Sequence, residues 1–182
     1  MKSLAHKQAV WLQNIGRASI VLAVLVVMVG CGYHPKGMGL MAPPGVHTIA
    51  VTVLENRTSE SGVETRFTSD LAYEFTRSKI VQVVSRDTAD AVLSGMIVSL
   101  QEDTISHTAS YDSDERRVTM TLNLALKSTD GKVIWSRRGL SDREAFKVAS
   151  DKLTTERNKK AAIAVISERL AERVHNAILQ DF

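Results

Sequence analysis

The chain of 182 residues has a single cysteine, Cys31. A framework of paired disulfides is therefore excluded, since a secreted scaffold of that kind needs an even count. A cysteine-rich zinc site is excluded for the same reason. Of the five histidines only His34 lies close to Cys31, and His6, His47, His107 and His175 show no metal-ligand spacing. The sequence also lacks G-x-S-x-G, H-E-x-x-H and the phosphate-binding P-loop. Asp90, set between Ala89 and Ala91, has no second group in sight for acid catalysis and reads as a turn or cap residue. No enzyme, no metal and no dissociable cofactor are expected.

An excess of positive charge is missing where a nucleic acid would need it. The formal charge is +3. However, Lys2, Lys7 and Arg17 precede Cys31 and no acid does, so three of the 23 basic residues leave 20 to face 20 acidic ones. The body of the chain is neutral, and no global field argues for nucleic acid.

A long apolar run is missing too. The stretch from Ile20 to Val29 follows a basic segment ending at Arg17. It falls short of the roughly 20 residues that a membrane-crossing helix needs. Residues 1–30 read as a cleaved secretory signal, against the alternative of an uncleaved membrane anchor.

What is present at its end is Met28-Val29-Gly30-Cys31, which resembles a bacterial lipobox. The chemistry of that motif needs a thiol nucleophile, a small residue before it and an apolar residue at the third position back. The sulfur receives diacylglycerol, the bond between Gly30 and Cys31 is cut, and the new amine is acylated, commonly with palmitate. A free thiol, a metal ligand paired with His34 and an intermolecular disulfide are the competing readings. Gly32 stands where an aspartate would favour the inner membrane, which points to the outer one.

Residues 31–46 read as a lipidated tether ending in Pro43-Pro44-Gly45, and residues 47–182 as one α+β domain. HTIAVTVLEN alternates as a strand. Val63, Phe67, Leu71 and Phe75 fall at four-residue steps and predict a helix. VQVVS and TADAVLSGMIVSLQ predict a short and a long strand, with ISHTAS as a candidate continuation of the second and YDSDE as a turn. In RVTMTLNLALK the residues Val118, Met120, Leu122, Leu124 and Leu126 share one face, while Arg117, Thr119, Thr121, Asn123 and Lys127 share the other. Asp130-Gly131 predicts a two-residue hairpin turn, pairing Leu126 with Trp135 and Asn123 with Arg138. Residues 140–155 show only a loose pattern. Ile163, Ile166, Leu170, Val174 and Ile178 mark a last helix, with Arg169 and Glu172 spaced to pair on its wet side. The expected architecture is a two-layer sandwich. Two helices lie on one face of a mainly antiparallel sheet of about four strands, in the order β-α-β-β-β(-β)-α.

CGYH, PPGVHTIAVTVLENRT, DLAYEFTRS, ADAVLSGMI and TMTLNLALKSTDGKVIWS, in that order, resemble the LPS-assembly lipoprotein family, LptE. The resemblance implies an outer-membrane lipoprotein that faces the periplasm, sits inside the LptD β-barrel, helps assemble and plug it, and binds lipopolysaccharide in transit to the outer leaflet. Parts of the sequence also resemble lipoproteins that activate peptidoglycan synthases or form curli-type secretion pores. If lipopolysaccharide is the ligand, its phosphates and carboxylates suit the planar arginine fork. Arg116, Arg117 and Arg138, on the clearest strand and its hairpin partner, are then the candidate contacts. The alternative is that they are solvated edge charges.

Replacing Cys31 by Ala should leave an unprocessed precursor that incorporates no palmitate. Metabolic labelling checks this, and a Cys31→Ala protein that is still cut after Gly30 and stays membrane-bound would contradict it.

Overall fold

A computed structural model describes residues 40–106 and 115–181. The signal segment, Cys31, His34, most of the tether, the polar turn before Glu115 and His107 lie outside the described residues. The elements are β1 (Thr48–Val51), β2 (Glu55–Asn56), α1 (Val63–Ser78), β3 (Gln82–Val83), β4 (Ala91–Ser106), β5 (Glu115–Ser128), β6 (Val133–Lys147) and α2 (Lys152–Gln180). They form one six-stranded sheet in the order β3-β1-β4-β5-β6, with β2 continuing alongside β4 beyond β1. Both helices pack on one face, as the alternation in β5 requires. The sheet is mixed, since β1 runs parallel to β3 and β4, and β2 parallel to β4. Only β4, β5 and β6 are antiparallel.

The dry layer forms from stripes of two periods. Val118, Met120, Leu122, Leu124 and Leu126 of β5 are all buried. They meet Val63, Phe67, Leu71 and Phe75 of α1 and Ile163, Ile166, Leu170, Val174 and Ile178 of α2 in one core. The two helices run side by side in the same direction. Ser167 donates to Asp70 at 2.6 Å, and further along Phe75 meets the His175 ring edge-on at 5.1 Å. The 29 residues of α2 span about 43 Å. Its first turn is capped by Asp151, whose carboxylate accepts from the Thr154 amide at 2.8 Å.

Asp90 has the structural role of a brace. Its carboxylate accepts from the amides of His47 at 2.9 Å and Thr48 at 2.8 Å, joining the start of β1 to the start of β4. These bonds, the one from His47 foremost, hold its carboxyl below the usual range. Just before β1, Leu40 and Ala42 pack against the core, and the Met41 amide donates to the Leu179 carbonyl at 3.0 Å. The last residues of the expected tether are thus part of the fold.

The β5–β6 turn differs from the two-residue form expected. Gly131 donates to the Ser128 carbonyl, and Ser128 donates to that of Lys132, both at 2.9 Å. Gly131 has φ 87°, so the loop has three residues and ends in a left-handed glycine. A register shift immediately beyond restores the expected pair of Leu126 with Trp135. A second shift removes the expected pair of Asn123 with Arg138. Leu124 faces Arg137 and Leu122 faces Leu140, so Arg138 and Gly139 bulge opposite Asn123. Gly139 takes φ 67°, and its amide donates to Asn123 Oδ1 at 2.8 Å.

That bulge exchanges the faces of β6 and carries the strand through the loosely patterned residues to Lys147. Asp142 and Glu144 now point toward the helices, where Arg169 Nε lies 2.9 Å from Asp142 and Arg169 Nη2 lies 2.8 Å from Glu144. Arg169 therefore binds across to β6 rather than to Glu172. Phe146 returns to the core.

At Gly95 the strands approach so closely that a Cβ would lie 2.2 Å from the Asn123 carbonyl oxygen. Gly95→Ala should cost about 1–3 kcal/mol through forced backbone movement. Urea unfolding of the two proteins measures it, and equal midpoints would refute this account of the contact.

Candidate functional site

Covering one face of the sheet with helices leaves the other bare over the three long strands. On β5 this open face carries Arg117, Thr119, Thr121, Asn123 and Ala125, all half-buried by their neighbours, and the exposed Lys127. The register sets Gln101 and Arg143 beside Thr119, Asp103 and Ala145 beside Arg117, and Ser99 and Ser141 beside Thr121. β6 adds Arg138, the first residue of the bulge, and Lys147 at its end. Hydroxyls, two amides and five cations therefore share a surface whose acids are Asp103 and Glu115.

Of the three arginines expected to contact a ligand, two lie on this face and one does not. Arg117 and Arg138 are open-facing and form no ion pair with a described residue. They stand apart, with about six residues, or roughly 20 Å of strand, between their positions. Arg116 points to the helix side and is bound at 2.9 Å to Glu102. Arg143, which the sequence reading did not single out, lies between them on the open face. The bulge hides it, because counting by twos from Trp135 puts residue 143 on the covered side.

Arg116 belongs instead to a chain of charges that ties the layers together. Lys159 of α2 reaches Glu60 at 3.1 Å and Glu102 at 3.5 Å. Burial pushes the Lys159 ammonium down, but its bond to Glu60 and the charges of Glu60 and Glu102 outweigh this and raise it. On the outer edge of β6 the carbonyls of Ser141, Arg143 and Lys147 accept from Arg173, Arg169 and Asn158. This edge is therefore occupied and does not invite strand addition.

Other candidate chemistry is structural. His175 is a core residue packed on Phe75. Among the described residues no group of three His, Cys, Asp or Glu is placed to hold a metal. No described helix is long and apolar enough to cross a membrane.

Residues 46–178 match the model of LptE, described as lipopolysaccharide-assembly. No curated protein matches the chain by sequence. Among solved structures, a minor lipoprotein from Acinetobacter baumannii is similar at 14% identity and a TM-score of 0.54, over 75% of this chain and 92% of that one. An uncharacterized lipoprotein B from Nitrosomonas europaea is similar at 10% identity and a TM-score of 0.53, over 81% and 90%. A protein from Xanthomonas campestris is similar at 12% identity and a TM-score of 0.51, over 77% and 90%. Identities this low show a shared fold.

The raised Lys159 gives its ion pairs a defined pH window. Their contribution is complete below the ordinary lysine range and is lost as pH rises through the raised value. Lys159→Met should lower stability at pH 7 by on the order of 1 kcal/mol. Denaturant titrations at pH 7, 9 and 11 should show that gap persisting at pH 9 and shrinking at pH 11. A gap unchanged at pH 11 would contradict the assignment.

Proposed function

The chain belongs to the LptE family of lipopolysaccharide-assembly proteins, and from that premise we propose that it is the lipoprotein partner of an LptD-type outer-membrane β-barrel. In this reading Cys31 carries the acyl chains, and the domain faces the periplasm, helps the barrel assemble, plugs its lumen and binds lipopolysaccharide on its way to the outer leaflet. Two or three acyl chains suffice for stable anchoring, since each buried methylene contributes about 0.8 kcal/mol and one chain alone is marginal. In this reading the chain's part in transport is binding and placement rather than catalysis.

The observation that carries the reading is the family match over residues 46–178, nearly the whole folded domain. The open sheet face supports it. Lipopolysaccharide presents phosphates and carboxylates around acyl chains, and arginine binds two such oxygens at once. Arg117, Arg138 and Arg143 offer three forks on a hydroxyl-rich surface. Arg116, engaged by Glu102, serves the fold first.

The full lipoprotein, taken from gently solubilised membranes, should bring down a large outer-membrane barrel. The combined Arg117→Gln, Arg138→Gln and Arg143→Gln protein should keep the barrel and bind lipopolysaccharide at least about tenfold more weakly, as expected for the loss of several charge-assisted hydrogen bonds. Purification without a barrel, together with intact surface lipopolysaccharide after depletion, would rule the proposal out.

A further inference from the structure

At the end of the open face beside the β5–β6 turn lies a cavity of about 640 Å³. Four separate parts of the chain wall it. The 3₁₀ turn Arg86–Thr88 contributes Arg86 and Asp87, β4 contributes Ser94, and the end of β5 with its turn contributes Lys127 and Thr129. The exposed Val53 supplies an apolar rim. Its volume falls within the roughly 300–1,000 Å³ of small-molecule sites.

The wall has two cations against one acid. None of Arg86, Lys127 and Asp87 forms an ion pair with a described residue. A core-like role does not account for these cations, since they are exposed and hold no part of the fold together. They come from different elements and converge on one space, as charged groups do around an anion. The hydroxyls of Ser94 and Thr129 add neutral donors and acceptors, and the valine edge offers a surface for the C–H face of a pyranose ring. A bare ion would leave most of this volume to water.

We propose that this cavity is a binding site for a phosphorylated hexosamine, with Arg86 and Lys127 on the phosphate and Ser94 and Thr129 on the sugar. The phosphate takes charge-assisted hydrogen bonds from both cations, and the ring fills the remaining space against Val53. The site is distinct from Arg117, since ten residues of β5 separate Lys127 from it, about 33 Å. The same chemistry occurs in a free sugar phosphate and in the headgroup of a glycolipid. Assignment to the second rests on the lipopolysaccharide reading above.

The test uses the full chain in detergent micelles, titrated with glucosamine 1-phosphate, with glucosamine, and with phosphorylated lipid A carried in the micelles. Calorimetry reads affinity, and amide shifts read location. Glucosamine 1-phosphate should bind saturably with shifts at Ser94, Lys127 and Thr129, and glucosamine at least about tenfold more weakly. Arg86→Gln with Lys127→Gln should lower affinity for the phosphosugar at least about tenfold, and Lys152→Gln, an exposed cation at the start of α2, should leave it unchanged. Competition by lipid A supports the site and identifies the headgroup source, while binding without competition supports the site and identifies the free sugar phosphate. Failure of glucosamine 1-phosphate to saturate, or equal binding by the double variant, overturns the site. Loss of phosphosugar binding by that double variant with lipopolysaccharide binding retained supports the site, assigns it to the free sugar phosphate, and leaves the functional proposal standing. Absence of lipopolysaccharide binding by the unaltered chain would instead sink the functional proposal.

Discussion

The domain depends on the two unlike faces of β5. Five alternate residues from Val118 to Leu126 are buried under two parallel helices, and the residues between them, Ala125 excepted, are polar. At about 25 cal/mol per Å² of apolar area, each buried leucine or methionine contributes a few kcal/mol, far more than any surface ion pair. That difference fixes which face is dry and admits no one-residue slip, because a slip would move the whole apolar set into water. Once the dry side is settled, the wet side is free to carry arginines, threonines and serines without cost to the core.

Much of this was legible in the chain because the strong signals are periodic. The four-residue steps of α1, the stripe of α2 and the alternation of β5 each specify a face as well as an element. Two features were not legible, for physical reasons. VQVVS announced β3, but β2 has two residues, too few for any period, and β1 pairs in parallel with neighbours far away in sequence. The second half of β6 was hidden by the bulge at Arg138–Gly139. It reverses the alternation, so Asp142 and Glu144 look like loop residues although they face α2.

The same bulge explains what was read and missed at the site. Arg117 lies on an unbroken strand, and its side follows from counting. Arg138 precedes the shift and also falls where counting puts it. Arg143 follows the shift and was passed over. Arg116 is one residue from Arg117 and so had to face the other way, where Glu102 holds it. A glycine in a strand whose alternation then changes phase is the signal that could have found Arg143. The convergence of Arg86 and Lys127 carried no local signal, because it requires the packing of a 3₁₀ turn beside a hairpin distant in sequence.

The two layers have opposite duties in this proposal. The helices make the domain stable, and the proposed contact with lipopolysaccharide lies on the open sheet face. A photoreactive amino acid placed in the living cell separates these duties directly. Thr121 stands at the middle of the open face, and Tyr73 is exposed on the outer side of α1. Irradiation should give lipopolysaccharide adducts from position 121 and none from position 73. Adducts from position 73 without adducts from 121 would place the ligand on the helical side and contradict the account.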